Sequence, residues 1–534
     1  MSVATHAPLR YAQIPERFNV ATHFLDRNLE DRRADTVALI CDLPDAEPTR
    51  TTYGELAART NRIGNGLLAL GVRAEERVLL ALTDGPDFVA SWFATLKAGA
   101  VVAEAYTFLQ AKDYLYYVNY MRAGVVIVDA STLPKLREIR PQCPSLRTVV
   151  VAGQAAELHD GEVSLDEIAG AASDQLDAAP TSRDDIALWK FTTGSTGAPK
   201  AAVHCHHDPL ISFDHYAQGV LGLQADDTVL PVPKLFFGYA RDLTALFNFG
   251  VGGSGLIFPD RSTPARMFEL IERHRPTILV QVPTMMRAML EEPDAHTRDL
   301  SSLRLVVSSG EALPRELHER WLDTFGAQVL EGIGSSELYH IYVSNRPGQV
   351  RTGSTGMIVP GYAAQLLDTN GQEVGPGEPG ELWIEGESAA LLYWNDHEKS
   401  KQTFAGDRVR TGDLFMQDTD GYLVYRGRAD DLLKVGGIWV APLEIETCVR
   451  EHPGVSDCAV VGVEVDGLVS ATAFIVATGT DSDLDASAVI AFVRERLAPH
   501  KAPRDVTFVM ELPKTASGKV DKKALRNRHE TEST

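Results

Sequence analysis

The chain has 534 residues, too many for one hydrophobic core, so we expect at least two folding units. A hydrophobic content of 44% with 23% charged residues is typical of a soluble globular protein. The formal net charge of −22 argues against a nucleic-acid partner, which would need a basic face, but it leaves room for a locally positive pocket.

The sequence carries no apolar run long enough to span a bilayer, and neither end shows a signal core or a lipidation motif. We therefore expect a cytoplasmic protein without a membrane partner. The five cysteines are scattered and form no CxxC pair. This spacing predicts neither a disulfide framework nor a zinc knuckle.

Helical and strand patterns alternate through the first part of the chain. Thr52 to Glu55 is a capping-box sequence that predicts a helix to about Gly71, and Pro86 predicts the start of a second helix. Short apolar runs typical of buried strands occupy residues 78–82, 125–128, 149–151, 277–282 and 303–308. The alternation predicts an α/β fold with helices packed on largely parallel sheets.

The pattern changes after about residue 360. Closely spaced glycines between 371 and 380 separate short strand-like segments, which predicts a small β-barrel-like unit. Beyond residue 430, helical segments at 444–450 and 486–497 flank two strand-like segments at 458–463 and 471–477. We expect an N-terminal domain over residues 1–429, with a β-rich subdomain at about 355–429, and a small α+β C-terminal domain over 430–534.

Residues 192–200 combine four hydroxyl side chains, two glycines and a lysine. The glycines allow close backbone approach to a ligand, and the hydroxyl groups, backbone N–H groups and lysine suit phosphate oxygens. Pro199 excludes the Walker P-loop, which needs glycine there. The segment is therefore interpreted as a phosphate-binding loop and not as a flexible linker; its residues are Thr192, Thr193, Gly194, Ser195, Thr196, Gly197 and Lys200.

This loop resembles the signature loop of the acyl-adenylate-forming enzymes, which include acyl- and aryl-CoA ligases, luciferases and peptide-synthetase adenylation domains. In that family the loop holds the β- and γ-phosphates of ATP. Other segments resemble further motifs of the family in the family's order, over roughly residues 40–525. The resemblance implies ATP, Mg²⁺ and coenzyme A as cofactors and cosubstrates.

Two of these segments resemble the nucleotide and metal motifs. Residues 309–312 resemble the adenine-side turn, and residues 331–337 resemble the motif that binds Mg²⁺ through Glu337 and the α-phosphate through Ser336. One carboxylate with phosphate oxygens suits Mg²⁺. Many members have an adenine-stacking aromatic residue where this chain has Ile333. The implied nucleotide contacts are Ser309, Gly310, Glu311, Ala312, Gly332, Ile333, Gly334 and Ser336.

The later segments resemble motifs around the family's mobile C-terminal domain. The resemblance implies that Asp413 is the ribose-binding carboxylate, that Arg428 reaches the same ribose, and that Asp430 is the hinge between the domains. Lys519 corresponds to the catalytic lysine, which contacts the substrate carboxylate and the α-phosphate. Lys200 and Glu337 complete the implied catalytic set. The loop that lines the coenzyme A tunnel corresponds to Gly436, Gly437 and Trp439.

Residues 234–240 and 338–341 resemble the acyl-pocket segments of benzoate-type CoA ligases. The implied pocket residues are Phe236, Gly238, Tyr239, Ala240, Gly310, Gly334, His340 and Ile341. A short aromatic-lined pocket suits a benzoate-sized ring. Arg241 and Asp242 depart from the benzoate pattern, so they serve a substituted ring or form a surface pair. We expect an aryl-CoA ligase acting on benzoate or an ortho-substituted benzoate, with anthranilate as the specific prediction.

Several alternatives stay open at this point. A stand-alone enzyme that loads an aryl acid onto a carrier protein would share all these motifs. An NAD-dependent oxidoreductase is a distant alternative, because Gly250 to Gly255 fits GxGxxG but follows a helix-like segment and precedes a strand-like one. A zinc site at His204 to His207 is disfavoured, because adjacent residues rarely converge on one ion. A homodimer stays open as a further partnership.

Overall fold

The computed structural model describes residues 7–155, 157–193, 198–435, 438–465, 468–478, 484–514 and 520–532. Its α-helices in chain order are α1 (Arg27–Glu30), α2 (Tyr53–Ala69), α3 (Pro86–Lys97), α4 (Ala111–Met121), α5 (Leu133–Ile139), α6 (Leu165–Gly170), α7 (His207–Ser212), α8 (Gly238–Arg241), α9 (Phe247–Val251), α10 (Pro264–His274), α11 (Pro283–Glu291), α12 (Arg315–Phe325), α13 (His397–Thr403), α14 (Pro442–Arg450), α15 (Ala486–Arg496) and α16 (Lys522–Glu532).

The strands are β1 (Val37–Cys41), β2 (Thr49–Thr52), β3 (Arg77–Ala81), β4 (Val101–Glu104), β5 (Val125–Asp129), β6 (Thr148–Ala152), β7 (Glu162–Ser164), β8 (Ile186–Thr193), β9 (Pro199–Cys205), β10 (Thr228–Pro231), β11 (Ser254–Ile257), β12 (Ile278–Gln281), β13 (Leu305–Ser308), β14 (Val329–Gly334), β15 (Ile341–Ser344), β16 (Met357–Ile358), β17 (Ala363–Leu367), β18 (Pro379–Glu385), β19 (Leu392–Tyr393), β20 (Phe404–Ala405), β21 (Arg408–Gln417), β22 (Leu423–Arg428), β23 (Leu433–Val435), β24 (Ile438–Val440), β25 (Val455–Val465), β26 (Leu468–Ala477) and β27 (Asp505–Phe508).

Local sequence rules explain where the early helices begin. Thr52 accepts a hydrogen bond from the Glu55 amide, and the Glu55 carboxylate accepts one from the Thr52 amide, which is the predicted capping box of α2. Pro86 is the first residue of α3, where its missing N–H costs nothing. Both predicted helix starts are confirmed.

The chain divides into two compact units: Met1–Ala364 with Ile384–Arg410, and Gln365–Trp383 with Thr411–Thr534. The first unit contains two large sheets. One has nine strands in the order β16-β15-β14-β13-β12-β10-β11-β1-β2, and the other has eight in the order β19-β9-β8-β4-β3-β5-β6-β7. Their central strands pair in parallel, which confirms the predicted α/β architecture.

Helices bury their apolar faces on both sheets. Val118 and Leu136 of α4 and α5 pack with Val126 of β5, and all three are fully buried. Leu270 and Trp321 of α10 and α12 are fully buried in a second core beneath β10 to β14. Parallel strands buried in this way align their carboxyl ends at one edge, where ligands of α/β proteins bind.

The second unit has its own hydrophobic core. Strands β25, β26 and β27 form a sheet in that order, and Val449, Ile475 and Val493 pack α14 and α15 against it. Strands β21 and β22 pair antiparallel, with Asp413 opposite Arg428. This α+β unit confirms a separate small C-terminal domain. The exact boundary between residues 429 and 430 stays a prediction.

Within the part of the chain described above, no helix combines the length and the apolar character needed to cross a membrane.

Candidate active site

The predicted phosphate-binding segment begins and ends in a hairpin. Strands β8 and β9 pair antiparallel, with Thr192 opposite Lys200 and Thr193 opposite Pro199. The connecting residues Gly194, Ser195, Thr196 and Gly197 lie outside the described residues. The hairpin brings Lys200 to the base of this loop, next to the edge strand β19 that pairs with β9.

Lys200 and Glu337 both contact Tyr393, which no sequence motif predicted. The hydroxyl of Tyr393 in β19 donates a hydrogen bond to the Glu337 carboxylate. The Lys200 ammonium lies 3.9 Å from the centroid of the same ring, in a cation–π contact. Tyr393 is 3% exposed, so its position is fixed by packing. Two of the three predicted catalytic residues therefore lie together around one buried ring.

The surroundings of Glu337 suit a cation that brings most of its own ligands. Among the described residues, no group of three or more His, Cys, Asp or Glu side chains is placed to hold a metal ion. Glu337 is half-buried in a short 3₁₀ turn over Ser336–Leu338. Mg²⁺ commonly binds through one or two carboxylates together with water and substrate phosphates. The lone carboxylate fits this pattern.

Replacing Tyr393 with phenylalanine is expected to lower activity and Mg·ATP affinity, because it removes the hydrogen bond to Glu337 but keeps the ring next to Lys200. Losing a hydrogen bond to a charged group costs about 1.5–3 kcal/mol. ATP–pyrophosphate exchange should therefore fall about 10- to 100-fold, and equilibrium binding of Mg·ATP should weaken in parallel. Tyr53→Phe is the control, because the buried Tyr53 hydroxyl donates to the Gly253 carbonyl at 2.6 Å. Exchange by Tyr393→Phe within twofold of wild type would contradict this role.

The implied adenine-side residues come from adjacent parallel strands. Strands β13 and β14 pair in parallel and end at Ser308 and Gly334, so the 309–312 turn and the end of β14 lie at the same sheet edge. Gly310 has a φ of +91°, a conformation that favours glycine. The structure thus brings together the two segments predicted from residues 309–312 and 332–334. Contact with a nucleotide stays a prediction.

The predicted acyl-pocket residues Tyr239, His340 and Gly334 also converge. The Tyr239 hydroxyl donates to the Val307 carbonyl at 3.0 Å, which ties α8 to β13. His340 Nε2 lies 3.3 Å from the Tyr239 carbonyl oxygen. A side chain at Gly334 would lie 2.4 Å from the His340 carbonyl oxygen, so this close approach needs glycine. Ile341 follows in β15, and it is 2% exposed.

Aromatic rings surround this pocket segment. His340 lies 5.0 Å from Phe247 and 5.8 Å from Tyr239, measured between ring centroids. Burial lowers the pKa of His340 to about 3, so the ring is neutral at physiological pH. Phe236 packs instead with Tyr106 at 4.9 Å, ahead of Gly238 and the fully buried Ala240. A neutral, aromatic environment favours a flat apolar ring.

Arg241 and Asp242 are buried, so the surface-pair alternative is wrong. Arg241 is 2% exposed and Asp242 is completely buried. Lys190 Nζ donates to Asp242 Oδ2 and to the Tyr339 carbonyl, each at 2.5 Å. Arg241 donates to Asp242 Oδ1 at 2.8 Å and also to the buried Glu104 carboxylate. We call Glu104, Arg241, Asp242 and Lys190 the buried charge network.

The buried charge network packs against the backbone of the acyl-pocket segment. Burial lowers the pKa of Lys190, whereas Asp242 opposes this shift. The Lys190 ammonium lies 3.0 Å from the position that a Gly238 side chain would take, so it packs directly against the pocket backbone. A buried charge is tolerated only when it is paired and hydrogen-bonded. Lys190 was detectable as a lone charge between Trp189 and Phe191, in the middle of an apolar strand.

In the second unit, the predicted ribose-binding residues form a pair. Arg428 Nη1 donates to Asp413 Oδ1 at 3.1 Å. Burial alone would lower the pKa of Arg428, but Asp413 raises it above its ordinary value. Asp430 lies in a 3₁₀ turn over Ala429–Asp431, 3.7 Å from Arg428. The roles of these residues at a ribose and at a hinge stay predictions.

The structure does not describe the predicted catalytic lysine or most of the predicted coenzyme A loop. Lys519, Gly436 and Gly437 lie outside the described residues. The backbone of Trp439 is part of β24, but its side chain is not described. The implied catalytic lysine and coenzyme A tunnel therefore stay predictions.

The GxGxxG segment connects a helix to a strand, as predicted for a turn that does not bind a dinucleotide. Helix α9 ends at Val251, Gly252 follows with a φ of +85°, and β11 begins at Ser254. A dinucleotide fingerprint would run from a strand into a helix. The segment therefore gives no support to the oxidoreductase alternative.

Comparison with known proteins agrees with these motifs. Residues 25–394 match the family model described as AMP-binding enzyme, and residues 444–519 match its C-terminal domain. The chain is 40% identical to the benzoate–CoA ligase of Thauera aromatica over 534 residues, covering 99% of both chains.

Two solved structures also resemble this chain. An anthranilate–CoA ligase, AuaEII, in complex with anthranoyl-AMP is 37% identical, with a TM-score of 0.91 and coverage of 98% of this chain and 100% of that chain. A benzoate–CoA ligase from Burkholderia xenovorans is 38% identical, with a TM-score of 0.86 and coverage of 95% and 100%. The predicted resemblance to the benzoate and aminobenzoate branch is confirmed, and the chain belongs to the AMP-binding enzyme family.

Proposed function

We propose that this protein is an ATP-dependent aryl-CoA ligase that activates a benzoate-type acid, with anthranilate or benzoate as the preferred substrate. The observation that carries the proposal is the convergence of Tyr239, His340 and Gly334 beside the carboxyl ends of β13 and β14. Similarity to a benzoate–CoA ligase over nearly the whole chain supports it.

The reaction has two steps. A carboxylate oxygen of the acid attacks the α-phosphorus of ATP, an O–P bond forms, and the bond to pyrophosphate breaks. The coenzyme A thiolate then attacks the acyl carbon, a thioester forms, and AMP leaves with the shared electron pair. Both the acid and the triphosphate are anions, so the first step depends on cancelling their mutual repulsion.

The residues around Tyr393 serve the first step. Lys200 supplies positive charge at the base of the phosphate loop, and Glu337 would hold Mg²⁺, which supplies charge neutralisation on the phosphate oxygens when bound. Ser336 precedes Glu337 in the same turn, and its hydroxyl is the proposed contact to the α-phosphate. Neutral His340 and the rings around it exclude water from the acyl ring.

The second unit completes the proposal. Lys519 contributes to adenylation, and the loop with Gly436, Gly437 and Trp439 guides the thiol during thioester formation. Because these groups serve different steps, the C-terminal domain rotates about Asp430 between them, which is a hinge-type change.

A panel of acids tests the substrate class. With benzoate, anthranilate, salicylate and octanoate, kcat/KM for ATP–pyrophosphate exchange should be at least about 100-fold higher for the best aromatic acid than for octanoate. Anthranilate or benzoate should rank first among the aromatic acids. A preference for octanoate would overturn the aryl assignment.

The acceptor is tested separately. Free coenzyme A should yield aryl-CoA and AMP in equal amounts, detected by chromatography. Thioester formation on a phosphopantetheinylated carrier protein, without turnover of free coenzyme A, would favour the carrier-loading alternative.

A further inference from the structure

The turn that carries Ser336 and Glu337 is anchored at four consecutive carbonyl groups. The Glu337 carbonyl accepts from the Ala390 amide at 2.8 Å, and the Leu338 carbonyl accepts from the Ser388 hydroxyl at 2.9 Å. Lys190 holds the Tyr339 carbonyl at 2.5 Å. The fourth anchor is His204 Nε2, which lies 2.6 Å from the Ser336 carbonyl oxygen.

This anchoring matters because the turn is strained. Tyr339 has a φ of +72° and a ψ of −55°, which a bulky residue adopts only at a cost. Such a conformation costs about 1–3 kcal/mol and persists when the surrounding structure enforces it. The four donors supply that enforcement at the residues next to the proposed metal and phosphate ligands.

His204 differs from the other anchors because both of its ring nitrogens face acceptors. A carbonyl oxygen carries no proton, so Nε2 donates to Ser336. Nδ1 lies 2.6 Å from Asp208 Oδ2, which also accepts from the Cys205 amide at 3.1 Å. The ring is completely buried. His207 Nε2 lies 2.9 Å from the other carboxylate oxygen of Asp208.

We propose that His204 and Asp208 form a positioning pair that holds Ser336 and Glu337 in the geometry needed for Mg·ATP. The pair acts through the Ser336 carbonyl, so its role is to position the turn. His204 belongs to β9, which also carries Lys200, and its ring lies between Asp208 of α7 and the Glu337 turn. The inference rests on the proposed function, because that function gives Ser336 and Glu337 their ligands.

Removal of both ring nitrogens of His204 is the direct test. His204→Leu is expected to weaken equilibrium binding of Mg·ATP at least tenfold, measured by calorimetry without any acid present. The KM for Mg·ATP in pyrophosphate exchange should rise by a similar factor, whereas the KM for the aromatic acid stays within about threefold. Amide hydrogen exchange should accelerate in the peptide covering residues 331–344.

The matched control is His206→Leu. His206 is also completely buried, and its Nδ1 accepts a hydrogen bond from the Val20 amide at 3.2 Å, away from the Glu337 turn. Its Mg·ATP affinity should stay within twofold of wild type. Equal losses of affinity in both variants would overturn the proposal, because His204 would then contribute only packing.

His204→Gln and Asp208→Asn keep the test decisive if the leucine variant does not fold. Glutamine donates from one amide group, so it should restore the Mg·ATP affinity to within about threefold of wild type. Asp208→Asn removes the charge that holds Nδ1, so it should weaken binding about threefold to tenfold. Unchanged affinity in Asp208→Asn would overturn the pair. A further outcome is that wild type binds Mg·ATP and yet shows no pyrophosphate exchange with any of the aromatic acids tested. That result would overturn the proposed function but would leave the positioning pair intact.

Discussion

Substituting Lys519 with alanine is expected to lower ATP–pyrophosphate exchange by about 10²- to 10³-fold, the effect of removing one preorganised charge from a polar transition state. The acid carboxylate and the α-phosphate are both negative, and a cation between them is needed only while the first bond forms. Thioester formation from a supplied acyl-adenylate should therefore be largely spared. Single-turnover assays of the two half-reactions measure this difference.

Lys514→Ala is the control for that substitution. Lys514 is exposed and precedes Lys519 in the same short segment, so its removal changes the net charge equally without removing the implied catalytic group. Its exchange rate should stay within twofold of wild type. Equal loss of both half-reactions in Lys519→Ala would contradict a model in which the C-terminal domain serves the two steps in different orientations.

The helices and strands were predictable where local chemistry determines them. The capping box at Thr52, the proline at the start of α3 and the apolar runs of β5 and β6 each depend on neighbouring residues alone. The order of strands was not predictable in the same way. Strand β1 pairs in parallel with β11, and Leu39 lies opposite Gly255. These two strands are neighbours in the sheet although they are far apart in the chain, so local sequence patterns do not predict their pairing.

The site shows the same division. Family motifs predicted Lys200 and Glu337, but not the ring that joins them, because Tyr393 lies 56 residues beyond Glu337 and carries no motif signal. The burial of Arg241 and Asp242 could not be predicted from the sequence either. Arg241 finds its partner Glu104 across 137 residues, so only the folded chain reveals that this charged pair is internal. Charged residues are exposed by default, and the exception depends on distant partners.

Removing the charge of Asp242 is expected to destabilise the first unit strongly. Two negative and two positive groups balance in the buried charge network, so Asp242→Asn leaves an uncompensated positive charge away from water. Breaking a buried ion pair from one side costs about 3–5 kcal/mol. The free energy of unfolding, from urea denaturation, should fall by that amount. Asp299→Asn is the control, because Asp299 and its partner Arg275 are 56% and 46% exposed; an exposed pair contributes about 0–1 kcal/mol.

A double variant separates charge balance from lost hydrogen bonds. Lys190→Met leaves the opposite excess charge, since it removes the ammonium that contacts both Asp242 and the Tyr339 carbonyl. Combining Lys190→Met with Asp242→Asn restores neutrality, so the double variant should lose less stability than the sum of the single variants, with a coupling of about 1–3 kcal/mol. Additive losses would show that the network is not held by mutual charge compensation. Because Lys190 also anchors the turn next to Glu337, the double variant should recover stability without recovering adenylation activity, which distinguishes the two roles of this lysine.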